Sequence, residues 1–286
     1  MIKKYSFIAL IFAFSLFINS CNTPSKNNKL TIALTIVPQK AFVDAIVGDL
    51  AEVVVLVPPG SSPANYQPTP MILEKFNDAN IFFSIGVPTE KTNIIPKISQ
   101  NRELKIVELH KEVSKIYPER EFAPGKRDGH IWLSPKRVKV MVKIILEELS
   151  LIDPENSSKY KINADKFLTE LDELDRLLVE KTKELSNRSF IVFHPAFGYL
   201  ADDYNLTMYA LEHNGKEATA QRLKMMIDIA KSENIKVIFH QSEISSEQSQ
   251  SFAREIGGVA IQLAPLSYDY IDNMKLMINT LSQYMK

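Results

Sequence analysis

The chain has 286 residues, with 34 Lys and Arg against 34 Asp and Glu, so its formal net charge is zero. Acid and base are interspersed, which leaves no basic face for nucleic acid, and the hydrophobic content of 45% is ordinary for a globular protein. The length allows one large domain or two lobes of ordinary size.

The first element is an export signal. Lys3 and Lys4 precede an apolar run at residues 7–17 (FIALIFAFSLF), which is too short to span a bilayer stably. Ile18-Asn19-Ser20-Cys21 resembles a lipobox, and Cys21 is the only cysteine in the chain. A lone thiol cannot form an intramolecular disulfide, and a free one is a liability in an oxidising compartment. Residues 1–20 are therefore expected to be a cleaved signal peptide and Cys21 a lipid-modified anchor. Residues 22–28 (NTPSKNN) read as a flexible tether. The mature protein is expected in the cell envelope, facing the periplasm or the exterior. No second apolar stretch is long enough to cross a membrane.

Strand-like and helix-like segments then alternate. Strands are expected at residues 30–37, 52–57, 81–85 and 105–109, and helices at 39–47 and 71–78. Short apolar runs separated by helical stretches point to parallel strands buried on both faces. A helix over 135–149 places Val138, Met141, Val142, Ile145 and Leu149 on one face. Asp153 and Pro154 open another, as N-cap and first helical residue, and that pattern runs from 156 to about 185 without Gly or Pro. Such a rod is about 45 Å long. Beyond it, strands are expected at 190–193, 206–211, 235–239 and 259–263, and helices at 218–231, 245–256 and 268–284. The fold class is α/β, divided into an N lobe (29–152), a linking helix (153–186) and a C lobe (187–286). Ligands of α/β sheets sit beyond the carboxyl ends of strands, which places the site between the lobes.

Five loops at predicted strand or helix ends can converge there: residues 60–70, 128–135, 194–200, 240–245 and 264–266, three of which bring a histidine. Two of them carry a specific resemblance. Asp128-Gly129-His130-Ile131-Trp132-Leu133-Ser134-Pro135 is similar to a D-P-H-I-W-L-x-P motif, and His194-Pro195-Ala196-Phe197-Gly198-Tyr199-Leu200 follows at the matching distance. Tyr66-Gln67-Pro68-Thr69-Pro70 and Ala264-Pro265-Leu266 fit in order and spacing. The whole mature chain thus resembles the zinc- and manganese-binding lipoproteins of high-affinity metal ABC importers, a cluster that also holds streptococcal adhesins.

The resemblance implies two Rossmann-like lobes with parallel sheets, joined by one long rigid helix, with a metal ion in the cleft between them. It implies four ligands, one from each of four loops. His130 and His194 match two of those positions, whereas the other two are Ala64 and Ala264, whose side chains have no donor atom. The histidine-rich acidic loop of many zinc members is also missing, since residues 119–129 (EREFAPGKRDG) carry no histidine. The surviving pair still spans the cleft. Replacement donors are sought in Gln241 and Glu243, with Asn65, Tyr66 and Asp128 as weaker candidates. Strand alternation allows only one of His240 and Gln241 to face the cleft, and the resemblance favours Gln241. His240 reads as structural or surface, and Glu243 reads equally well as the N-terminal charge of the helix at 245. His110 and His213 lie outside the matching loops and are expected in solvent.

The implied function is extracytoplasmic capture of a divalent metal, delivered by a monomer to an ABC importer permease. Two imidazoles suit zinc, whereas manganese favours more oxygen donors. The alternatives are the same fold holding a metal chelate or another small solute, and a surface adhesin with a reduced metal site. No H-E-x-x-H or G-x-S-x-G motif is present, so no catalytic residue is expected.

Overall fold

The computed structural model describes residues 29–98, 104–213, 215–244 and 247–285. The signal, Cys21 and the tether lie outside the described residues. Strands β1 (Leu30–Leu34), β2 (Ala51–Val55), β3 (Ile81–Ser84) and β4 (Lys105–Glu108) form a parallel four-stranded sheet in the order β2-β1-β3-β4. Its centre is apolar on both faces, with Ile32, Ala33, Leu34, Ile81, Phe82 and Phe83 all fully buried. A second parallel sheet is built from β7 (Ser189–Val192), β8 (Thr207–Ala210), β9 (Val237–Gln241) and β10 (Val259–Leu263), in the order β10-β9-β7-β8. Both sheets repeat one topology, in which the second strand leaves on one side of the first and the third returns on the other.

All eight expected strands form, and all but β10 have shifted ends. The run expected as a strand over 30–37 splits, because Pro38 sits in the first turn of helix α1 (Val37–Val47). Strand β9 lies two residues later than expected and carries through Gln241, in register with β10 from Val237↔Val259 to Gln241↔Leu263. Helix α2 (Pro70–Asn77) is capped by the Thr69 hydroxyl, which accepts from the Ile72 N–H at 3.4 Å. The short helices α3 (Ile95–Ile98) and α4 (Leu109–Ser114) flank β4.

One hairpin escaped the sequence reading. Strands β5 (Glu121–Ala123) and β6 (Lys126–Arg127) are antiparallel around Pro124-Gly125. Gly125 has φ +73, a conformation that glycine adopts without a Cβ clash. The Pro-Gly pair was the available signal; strands of three and two residues are too short to show apolar alternation.

Helix α5 (Pro135–Ile152) buries the predicted stripe, Val138, Met141, Val142, Ile145 and Leu149. The rod differs at its start. Asp153 does not cap it; a 3-10 turn over Pro154–Asn156 intervenes, and the Asp153 carboxylate accepts from Asn156 Nδ2 (2.9 Å) and the Tyr160 hydroxyl (2.6 Å). Helix α6 then runs over Ser157–Lys183, 27 residues, or about 40 Å. Its buried residues Tyr160, Ala164, Phe167, Leu171, Leu174 and Leu178 form a stripe that packs along α5, α1 and α10 (Tyr270–Tyr284). Since α1 follows the first sheet strand and α10 follows the last, α6 is a spine shared by both lobes. The remaining helices are α7 (Gly198–Asp203), α8 (Ala220–Ser232) and α9 (Glu247–Glu255).

Polar side chains lock the lobes below the cleft. Arg137, only 3% exposed, makes a two-pronged pair with Asp203, through Nε–Oδ2 at 2.8 Å and Nη2–Oδ1 at 3.0 Å. The Ser134 hydroxyl donates to the same carboxylate at 2.5 Å. Trp132 Nε1 donates to the Pro265 carbonyl (2.8 Å), and the Tyr270 hydroxyl donates to the Trp132 carbonyl (2.8 Å). The Tyr199 hydroxyl accepts from the Arg120 N–H and donates to the Asp128 carbonyl, both at 3.0 Å. Gly198 leaves room for the Arg120 side chain, since a Cβ there would lie 2.6 Å from its Nε. Such bidentate, largely desolvated contacts fix orientation.

Candidate metal centre

The second sheet reverses its strand order between β7 and β9, and its crevice opens at their carboxyl ends. His194 lies two positions past the end of β7, and Gln241 is the last residue of β9. His130 comes from the other lobe, at the end of the segment that follows the β5–β6 hairpin and just before the 3-10 turn Ile131–Leu133. The two rings meet with Nε2 of His130 3.2 Å from Nε2 of His194 and centroids 5.0 Å apart.

Each ring is held from behind by a carboxylate. Nδ1 of His130 is 2.8 Å from Asp128 Oδ1, which also accepts the His130 backbone N–H at 3.0 Å. Nδ1 of His194 is 2.8 Å from Glu212 Oε2. A carboxylate partner places the ring proton on Nδ1, so both Nε2 atoms present lone pairs. Burial also pulls the His130 ring below its ordinary value, against the opposing pull of Asp128, which favours the neutral, ligating form. Two facing lone pairs at this distance repel unless a cation or proton lies between them. Two imidazole nitrogens bound tetrahedrally to one zinc ion at ~2.05 Å each would stand about 3.3 Å apart. The observed separation is close to that.

The other expected donors divide. Gln241 lines the cleft with His130 and His194, while His240 points elsewhere and leaves its Nδ1 buried and unpartnered. This is the outcome that alternation required. Glu243 is not among the cleft-lining residues; Oε1 accepts from the Ser242 hydroxyl at 2.6 Å and Oε2 is buried without a partner. Asn65 and Tyr66 do not line the cleft either. Tyr66 is engaged through its carbonyl, which accepts from Asn93 Nδ2 at 2.9 Å. Asp128 is fully buried behind His130 and orients that ring. Ala64 lines the cleft. Next to Ala264, Pro265 and Leu266 do so as well. Among the described residues no group of three or more His, Cys, Asp or Glu converges to hold an ion.

One expectation is corrected. His110 is not in solvent but 9% exposed, because it follows β4 at the carboxyl edge of the sheet and packs under Gly86 and Arg127. Burial, helped by the Arg127 charge, lowers its ring to about 4. His213 is exposed, as expected.

Comparison with known proteins assigns the lineage. The family profile of ZnuA, zinc-uptake complex component A, periplasmic, matches residues 32–284. The chain belongs to this family. The high-affinity zinc uptake system protein ZnuA of Bacillus subtilis (strain 168) is 27% identical, over 98% of each chain. The zinc-binding lipoprotein AdcA of Streptococcus pneumoniae (strain ATCC BAA-255 / R6) is 28% identical, and the match spans 88% of this chain but 53% of AdcA. A crystal structure of ZnuA superimposes with a TM-score of 0.84 at 34% identity, covering 90% of this chain and 99% of that one. The laminin-binding protein Lmb of Streptococcus agalactiae shares the fold, with a TM-score of 0.80 at 22% identity.

Within this ZnuA-family chain, sequence reading missed Glu212 and Arg127. Glu212 follows β8, the strand paired with β7, and its N–H bonds the Phe193 carbonyl at 2.9 Å. That pairing carries the carboxylate to His194 across 18 residues of sequence. Arg127 ends the unforeseen hairpin and enters the cleft lining.

Proposed function

We propose that this protein is an extracytoplasmic binding lipoprotein that captures a divalent transition-metal ion, zinc, and delivers it to the membrane permease of an ABC importer. One observation carries the reading: two imidazoles, one from each lobe, face each other through Nε2 at 3.2 Å and are each backed by a carboxylate on Nδ1. Second-shell carboxylates of this kind fix the tautomer and raise the basicity of metal-bound imidazole. The family and its zinc-binding relatives support the same cargo. Manganese is the less favoured ion, because among the described residues no carboxylate lines the cleft.

In this reading His130 and His194 are direct ligands and the Gln241 amide oxygen is the third donor. Glu243 would have to leave its present hydrogen bond, by movement of the turn after β9, to contribute. The cleft has a volume of about 100 Å³, well below the roughly 300 Å³ at which drug-sized ligand pockets begin. That disfavours a large chelate. Cys21 is the lipid anchor, residues 29–152 and 187–286 are the lobes with 153–186 between them, and the carrier works as a monomer. No catalytic role is assigned.

Titration of metal-stripped protein with zinc, read by calorimetry, tests the site. Wild type is expected to bind one ion. His130→Ala with His194→Ala is expected to lose at least about a hundredfold in affinity. Gln241→Ala should weaken binding several-fold, whereas Glu243→Ala should leave it within about twofold. Undiminished binding by the double variant would place the ion elsewhere.

A further inference from the structure

The cleft contains a charge that a cation site should avoid. Among the described residues that line it, Arg127 is the only one carrying a fixed charge, and that charge is positive. Its guanidinium is partly committed: Nε donates to Glu119 Oε1 at 2.8 Å and Nη1 donates to the Gly86 carbonyl at 2.9 Å. Nη2 is buried and has no partner. A buried unpaired N–H on a cation is costly, and a guanidinium in the same small cleft as a divalent ion repels it.

The ligand set is incomplete as well. His130 and His194 supply two nitrogens, Gln241 and Ser62 are the only other polar side chains in the lining besides Arg127, and neither is charged. The carboxylates behind the histidines, Asp128 and Glu212, have an oxygen on each Nδ1. The space exceeds what an ion alone fills, since about 100 Å³ is available and one water occupies roughly 30 Å³.

Resting on the metal-binding reading above, we infer that the ion is carried together with a small carboxylate-type anion, one oxygen on the metal and another on Arg127. The planar fork of a guanidinium matches a carboxylate or bicarbonate better than a spherical anion. The anion completes the coordination that Ala64 and Ala264 cannot supply through their side chains. It also separates the two like charges. A replaceable anion thereby becomes the ligand that leaves first when cargo is handed on.

The test is a zinc titration of the metal-stripped full protein in bicarbonate-free buffer, repeated with millimolar bicarbonate, acetate or chloride. In wild type, bicarbonate or acetate is expected to tighten zinc binding by at least about tenfold, and chloride by less than about threefold. Whichever of the first two acts more strongly identifies the source of the carboxylate. Arg127→Met is expected to abolish the anion effect and to bind zinc more tightly than wild type when no anion is added. Zinc affinity in wild type that is the same in all buffers overturns the inference while leaving the metal site intact. An anion effect that survives Arg127→Met also overturns it. Zinc that fails to bind under every condition overturns the metal site itself, so the two failures are distinguishable. The wild-type arm decides even if the variant folds poorly.

Discussion

The two sheets have the same topology, yet their crevices are used in opposite ways. Each sheet reverses strand order beside its first strand, between β1 and β3 in one and between β7 and β9 in the other. Such a reversal opens a crevice for a ligand. In the first lobe the crevice is filled from within. Glu90, 2% exposed, accepts from the Thr35 hydroxyl, the Ser84 hydroxyl (2.6 Å), the Ile85 N–H (2.9 Å) and the Gly86 N–H (2.7 Å). Burial pushes its carboxyl up, against the pull of those donors. Gln39 completes the plug: Oε1 accepts from the Thr35 and Ile36 N–H groups at 3.0 and 3.1 Å, and Nε2 donates to the Phe83 carbonyl at 2.8 Å. In the second lobe the same place holds His194 and Gln241, and it stays open to the cleft. One scaffold therefore closes its crevice at one copy and leaves it open at the other. The side chains at the strand ends make the difference.

The contrast can be broken most severely at Glu90. Glu90→Ala strips an acceptor from four buried donors and should destabilise the metal-free protein by about 4 kcal/mol, read by urea unfolding. A loss below about 1 kcal/mol would mean that the plug is dispensable. The equivalent cut in the other lobe, His194→Ala, should leave metal-free stability nearly unchanged.

A second consequence concerns pH. His110 packs beside Gly86, next to the plug, and its folded-state pKa of about 4 lies below the ordinary 6.5. The folded state thus holds it neutral, and the unfolded chain takes up the proton first as pH falls. Its contribution is fully present above pH 6.5 and is lost progressively as pH drops towards 4, by up to roughly 3 kcal/mol. His110→Phe should flatten the stability-versus-pH curve in that window. If the curve of the variant keeps its slope between pH 6.5 and 4, other groups set it.

The smallest expected effect sharpens the capture side. Glu212→Gln keeps the shape behind His194 but removes the charge on its Nδ1 partner. Zinc affinity should fall by about tenfold, in the range that loss of an outer-shell partner typically costs, with the melting temperature of metal-free protein unchanged. An unaltered affinity would reduce Glu212 to a packing role.

Much of the fold was legible. Parallel strands buried on both faces read as continuous apolar runs, and the stripe of α5 follows from helical spacing alone. The ends were not legible, because Pro38 and the pairing of β9 with β10 decide where strands stop. The hairpin at residues 121–127 was missed, since strands of three and two residues are too short to show alternation, and with it went Arg127. Glu212 was missed for a different reason. It lies outside every motif loop, and only the β7–β8 pairing brings its carboxylate to His194. Asp128, a candidate donor by residue type, stands behind the His130 ring instead.

The sequence by itself determined the alternating elements, the long helix and the loops that carry His130 and His194. These are local facts, written in spacing and residue type. Only the tertiary structure decided that the two rings face each other through Nε2, that Asp128 and Glu212 hold them so, and that Arg127 shares the cleft. Ring orientation depends on contacts between residues far apart in the chain, and a one-dimensional pattern does not encode where those side chains meet.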